Sequence, residues 1–114
     1  DLNFVSDTVA GFLAAAESDA ALGRTINLAN NDEISVGQLA AKIIALVGRD
    51  VQLETDEARL RPANSEVFRL YGDNRLAAEL LGWRPQVGLD EGLRRTIDWV
   101  AQHLDRYDPS RYQV

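Results

Sequence analysis

The sequence has no cysteine and a single histidine, His103. The absence of cysteine excludes disulfides, thiolate nucleophiles and cysteine-ligated zinc among these residues. One histidine cannot form a histidine cluster, and we predict that His103 lies at the surface or at a helix end, with no metal site. No apolar run reaches the roughly 18 residues that cross a membrane, and no signal peptide opens the chain. These absences favour a cytoplasmic protein without a membrane partner.

Positive charge is also scarce. The 114 residues carry 12 Lys and Arg against 18 Asp and Glu, for a net charge of -6. Proteins bind nucleic acids and anionic membranes through clustered Lys and Arg side chains. This balance therefore argues against either as a partner.

Two signatures of dinucleotide-dependent enzymes are missing. The eight glycines stand singly, so no Gly-rich turn of the G-x-x-G-x-x-G kind can cradle a pyrophosphate. No Tyr-x-x-x-Lys pair exists either, because Gln38 lies four residues before Lys42, the one lysine. We therefore predict no catalytic and no cofactor-binding residue in this chain, and no turnover by the chain alone.

Alternating apolar and polar side chains predict short strands at residues 25–29, 51–55 and 67–70, and the extended residues 3–5 could make a fourth. Apolar residues at helical spacing predict four helices, the second of which lies between the first two strands. Strand, helix and strand in this order resemble a βαβ unit, which predicts an α/β fold.

Short polar side chains mark the starts of the predicted helices. Ser6 or Asp7 could cap the first, Ser35 and Gln38 form a capping box for the second, and Asp73 could cap the third. The apolar stripe of the first helix is Val9, Phe12, Leu13 and Ala16. The stripe of the last helix is Leu89, Leu93, Ile97, Val100 and Leu104.

A polar segment between the second and third strands carries the candidate binding residues. Arg59 and Arg61 are two residues apart and could grip a diphosphate with paired hydrogen bonds. Asn64 offers a donor and an acceptor for a sugar hydroxyl, and Pro62 stiffens the segment. The alternative is that both arginines pair with the acidic residues of 54–57.

Five segments, in order along nearly the whole chain, resemble motifs of extended short-chain dehydrogenases of the NAD-dependent nucleotide-sugar epimerase/dehydratase family. They are residues 1–8, 27–36, 61–67, 73–85 and 89–99. Within that family the resemblance is greatest to 4,6-dehydratases that act on nucleotide-linked N-acetylglucosamine. Two departures are Ala29, where relatives usually have Gly, and Asn64, where many have Asp.

The resemblance implies a C-terminal fragment of a Rossmann-type protein. Residues 1–30 would be a trailing helix and outer strand of the Rossmann sheet, 31–106 a substrate-binding lobe and 107–114 a tail. The start at Asp1, without Met, indicates a processed or truncated product. The apolar faces exposed in such a fragment would favour a homodimer.

The resemblance also implies roles in binding. Arg61 would hold the diphosphate of a nucleotide-diphospho-sugar, Asn64 would contact its ribose, and Arg59 is a second candidate for the anion. NAD would be bound mainly by residues outside this chain. A 4-epimerase or a decarboxylating dehydratase is the alternative within the family. A stand-alone, non-catalytic binding or scaffold module is the alternative from another class.

Overall fold

The computed structural model describes residues 1–54 and 67–107. Four α-helices confirm the four that the sequence predicts: α1 Val5–Ala16, α2 Val36–Val47, α3 Arg75–Leu81 and α4 Leu89–Gln102. Two short 3-10 turns follow α1 and α4, at Asp19–Ala21 and Leu104–Arg106. No β-strand is paired within the described ranges, so the sheet and the α/β fold class stay predictions.

Helix α2 begins at the capping box that the sequence predicts. The Ser35 side chain accepts a hydrogen bond from the Gln38 backbone at 3.2 Å, and the Gln38 side chain accepts one from the Ser35 backbone at 3.1 Å. At the other end Gly48 adopts φ +68, the left-handed conformation that glycine enters without strain. The two ends together fix the length of α2.

Helix α3 and the residue that follows its glycine cap contribute two buried side chains to the core. Gly82 ends it with φ +63, and the backbone of Trp83 returns to donate to the Ala77 carbonyl at 3.2 Å. Trp83 is 5% exposed and Ala77 is fully buried. Asn74 occupies the formal cap position without a side-chain bond, but the predicted Asp73 cap bond is present, since its carboxylate accepts from the Arg75 backbone at 3.0 Å.

Helix α1 departs from its prediction at its start. It begins at Val5 after Phe4, and no side chain caps it, so the prediction of a Ser6 or Asp7 cap is wrong. Its apolar stripe is exposed, with Phe12 at 68%. The described elements that α1 contacts are α3 and the Asp19–Ala21 turn, and these leave the stripe uncovered.

Helix α4 packs on α2 and on the residues before α1. A Cβ at Gly92 would lie 3.2 Å from the Phe4 ring, so glycine permits the close approach. His103 ends the helix, as predicted, and stacks on Trp99 with ring centroids 4.3 Å apart. Among the described residues, no helix combines the length and apolar character needed to cross a membrane.

The core of the described residues is small. Three apolar residues, Ala29, Ala77 and Trp83, are buried. Large apolar side chains on α1 and in residues 67–71 are more than half exposed.

Candidate functional site

The three predicted binding residues, Arg59, Arg61 and Asn64, lie outside the described residues. Residues 59–64 are called the binding segment below. The alternative ion pairs of Arg59 and Arg61 with residues 54–57 also lie outside the described residues. The structure does describe the chain on both sides of this region, up to Glu54 and from Val67 onward.

The carboxylate of Asp1 joins two distant parts of the chain. One oxygen, Oδ1, accepts a hydrogen bond from the Asn30 backbone at 2.8 Å. The other, Oδ2, accepts one from the Gly72 backbone at 3.0 Å. The terminal amino group of Asp1 also donates to the Leu70 carbonyl at 3.3 Å. Asp1 therefore connects the start of the chain, the turn after residue 29 and the stretch that follows the binding segment.

Asparagine side chains reinforce the same connection. Asn3 donates to the Leu28 carbonyl at 2.7 Å, and Asn74 donates to the Ala29 carbonyl at 2.8 Å. Asn31 donates to the Asn74 side chain at 2.8 Å. These asparagines and Asp1, with backbone residues 28–30 and 70–72, are called the junction below.

The junction requires close backbone approach. A Cβ at Gly72 would lie 2.3 Å from the Cβ of Ala29, which is 7% exposed. No side chain larger than hydrogen fits at residue 72 while Ala29 is in place. The methyl of Ala29, at the position where the resemblance predicts Gly, is thus accommodated by the glycine opposite.

An ion pair beside the junction ties the same stretch to the region before α2. Arg69 donates through Nε to Glu33 at 3.0 Å and through a second nitrogen to the other carboxylate oxygen. The hydrogen bond from Arg69 lowers the pKa of Glu33 and raises that of Arg69. A nearby local pair, Arg75 with Asp73, lowers the pKa of Asp73 to about 2, chiefly through the side-chain hydrogen bond.

A cleft of about 440 Å³ lies next to the junction. Charged groups of Asp1, Glu33 and Arg69 line it, together with apolar side chains of 34–36 and 67–70. A larger, open cleft of about 730 Å³ lies between α2 and the start of α4, where Lys42 pairs with Asp90 at 2.6 Å. Within residues 1–54 and 67–107, no group of His, Asp and Glu side chains has the arrangement of a metal site.

A second polar contact fixes α1 against the residues before α4. The Asp7 carboxylate accepts hydrogen bonds from the backbones of Gln86 at 3.0 Å and Val87 at 2.9 Å. The Asp7 carbonyl accepts one from the Trp83 indole at 2.9 Å. The sequence pattern did not predict these roles for Asp1 or Asp7. The available signal was that both acidic residues fall within the resemblance motif at residues 1–8.

Comparison with known proteins decides the family. Residues 1–96 match the family described as GDP-mannose 4,6 dehydratase. The chain belongs to this nucleotide-sugar epimerase/dehydratase family of extended short-chain dehydrogenases. The family that the sequence motifs predicted is thereby confirmed.

Relatives within the epimerase/dehydratase family differ in their named reactions. The chain is 35% identical to UDP-glucuronic acid decarboxylase 1 of Xenopus tropicalis, over 96% of this chain and 24% of the relative. It is 34% identical to UDP-glucose 4-epimerase of Mycolicibacterium smegmatis, over 87% of this chain and 30% of the relative. It is 28% identical to human dTDP-D-glucose 4,6-dehydratase, over 91% of this chain and 30% of the relative. No solved structure matches the chain.

The chain spans between about a quarter and a third of the length of these curated relatives. Membership in the epimerase/dehydratase family is thus established over most of this chain. A decarboxylase, an epimerase and a dehydratase all match it, so the family does not specify the reaction.

Proposed function

We propose that this chain is the nucleotide-sugar-binding portion of an NAD-dependent sugar-nucleotide 4,6-dehydratase. The observation that carries the proposal is the family match over residues 1–96 in a sequence without a Gly-rich dinucleotide turn or a Tyr-x-x-x-Lys pair. Family membership supports a nucleotide-sugar substrate, and because of the two absences we propose that catalysis belongs to other residues of a longer protein.

The binding segment supplies the residues for this role. Arg61 would hold the diphosphate, Asn64 would contact the ribose, and Arg59 would add a second cation. A guanidinium matches two phosphate oxygens with parallel hydrogen bonds, which gives both affinity and orientation. In a chain of net charge -6, two arginines in one short segment also supply local attraction for an anion.

NAD does not fit the residues of this chain. Pyrophosphate binding in this fold class uses a Gly-rich turn at a helix start, and the single glycines here include Gly48 and Gly82 at helix ends. We therefore assign NAD to the longer protein and no step of its chemistry to this chain. The predicted cytoplasmic location and homodimer belong to the same proposal.

Turnover assays test whether catalysis requires residues outside this chain. The purified 114-residue chain should convert no UDP-, GDP- or dTDP-linked sugar when NAD is added, and it should bind NAD weakly or not at all. The full-length protein should release a 4-keto-6-deoxy sugar nucleotide, the product class of a 4,6-dehydratase. Measurable conversion by the chain alone would overturn the proposal.

A 4-epimerase is the second candidate, since the relative from Mycolicibacterium smegmatis carries that name and is 34% identical. A decarboxylase is the third candidate, since the relative from Xenopus tropicalis carries that name and is 35% identical. Product analysis of the full-length protein separates all three, because an epimerase keeps the sugar's composition and a decarboxylase releases carbon dioxide. A stand-alone binding module would bind a nucleotide sugar and yield no product.

A further inference from the structure

The described helices pack as two pairs. Helix α1 contacts α3 and the Asp19–Ala21 turn, whereas α2 contacts α4. Within residues 1–54 and 67–107, no helix of one pair makes more than a marginal contact with a helix of the other. These units are called the α1–α3 pair and the α2–α4 pair below. The described chain thus contains two small packing units, and the boundary between them decides whether they can move separately.

The boundary between the two pairs is loosely packed. The Phe4 ring, just before α1, lies against Gly92 of α4. Beside this contact, a hollow of about 170 Å³ separates residues 2–4 from the start of α4. Asn3 lines the hollow, and its side-chain oxygen is buried without a hydrogen-bond donor among the described residues. Loose packing and a buried acceptor without a donor both lower stability, so we expect this boundary to open more readily than either pair.

Two connections between the pairs are described throughout, and acidic side chains hold each of them to the α1–α3 side. On the way to α2, the backbone of Asn30 donates to Asp1 at 2.8 Å. On the way to α4, the backbone of Val87 donates to Asp7 of α1 at 2.9 Å. Gly88 follows as the cap residue of α4, with open space where a Cβ would lie. Rotation at Gly88 and in the turn after Asn30 can therefore move the α2–α4 pair while both carboxylate contacts remain.

One ion pair bridges the same boundary. Glu33 precedes α2, whereas Arg69 belongs to a stretch that Asp1 binds at the Gly72 backbone. The guanidinium of Arg69 donates to both carboxylate oxygens of Glu33. The cleft of about 440 Å³ is lined by the start of α2 and by the stretch around Arg69. The width of this cleft therefore depends on where the α2–α4 pair lies.

We propose that the α2–α4 pair rotates as one unit about Gly88, and that the Glu33–Arg69 ion pair is a clasp that keeps the 440 Å³ cleft closed. The side chain of Arg69 is 80% exposed, so water competes for the clasp and the pair adds little free energy. Opening widens the cleft and lets water reach the Asn3 oxygen, which offsets part of the lost packing. The inference does not depend on the proposed function.

Hydrogen exchange of the full-length protein, followed by mass spectrometry, tests this motion. If α2 and α4 open as one unit, their backbone amides should share one opening equilibrium, distinct from that of α1 and α3. Arg69→Ala and Glu33→Gln should each speed exchange in α2 and α4 about threefold, the scale of an exposed ion pair. Exchange in α1 and α3 should stay at the wild-type rate in both variants.

Arg75→Ala is the matched control, because Arg75 is similarly exposed and pairs with Asp73 inside the α1–α3 side. It should leave exchange in α2 and α4 unchanged. The double variant of Glu33 and Arg69 should exchange no faster than either single variant, since both remove the same ion pair. Faster exchange in α1 and α3 as well would overturn the inference, because it would indicate general destabilisation. Unchanged exchange in both single variants, or different responses of α2 and α4, would also overturn it.

Discussion

Replacing Asp7 by alanine should destabilise the chain strongly. Asp7 is 4% exposed, and its carboxylate accepts two backbone hydrogen bonds at 2.9 and 3.0 Å. Hydrogen bonds to a charged group contribute about 1.5–3 kcal/mol each, and a donor left without a partner adds its desolvation cost. Because water can reach the partly buried Gln86 and Val87 amides, we use the lower values and expect a loss of about 3 kcal/mol.

Urea unfolding of the 114-residue chain measures this effect. With a denaturant slope of about 1.5 kcal/mol per molar, the midpoint should fall by about 2 M. Asp7→Asn keeps a neutral acceptor and should lose roughly half as much free energy as Asp7→Ala. The control Asp98→Ala removes an exposed carboxylate and should stay within about 0.5 kcal/mol of wild type. A loss below about 1 kcal/mol in Asp7→Ala, at unchanged slope, would refute the role of Asp7.

Three further changes test other contacts. Gly72→Ala should cost about 1–3 kcal/mol of unfolding free energy because the new methyl overlaps Ala29. Adding Ala29→Gly should restore most of that loss. Independent, additive effects of the two changes in urea unfolding would contradict this. Pairing with Arg69 lowers the pKa of Glu33 in the folded chain. The contribution of this pair to the free energy of unfolding is therefore complete above the ordinary carboxyl pKa and falls as pH drops through the lowered folded value. Urea midpoints from pH 7 to 3 should therefore show a smaller acid loss in Arg69→Ala than in wild type, and identical profiles would count against the pair. Ser35→Ala should cost about 1 kcal/mol by removing the α2 cap, measured by urea unfolding, and no change would show that the capping box is dispensable.

The helices were predictable because their signals are local. The Ser35–Gln38 box and the left-handed Gly48 and Gly82 act within a few residues of the helix ends they define. The prediction of an Asp7 cap was wrong because an acidic residue near a helix start has the same sequence pattern whether or not it caps the helix. Its actual partners lie 79 and 80 residues further along the chain, and no local pattern specifies such distant backbone donors.

Burial was less predictable than helicity. Periodicity identified the apolar stripe of α1, yet Phe12 and Leu13 remain 68% and 60% exposed among the described residues. Spacing shows which side of a helix is apolar, whereas burial depends on what packs there. The predicted strands depend on distant partners in the same way. Alternation of apolar and polar side chains indicates an extended chain, whereas a sheet also requires hydrogen-bonded neighbouring strands.

The candidate site divides in a similar way. Arg61 and Asn64 were predicted from residue chemistry and resemblance, and both stay predictions. The junction around Asp1 was not predicted, because its acceptors and donors are largely backbone groups that every residue carries. The Ala29 and Gly72 contact likewise became interpretable when the two backbones were seen together.

Titration of UDP, GDP and dTDP into the full-length protein and its Arg61→Ala variant tests the central claim most directly. The account predicts binding of at least one diphosphate by wild type. It predicts weakening of about 10- to 100-fold in Arg61→Ala, the loss expected for hydrogen bonds to a charged group. Arg24→Ala, a change to an exposed arginine elsewhere, should leave affinity within twofold. Equal affinity in wild type and Arg61→Ala, or no binding by wild type, would contradict the account.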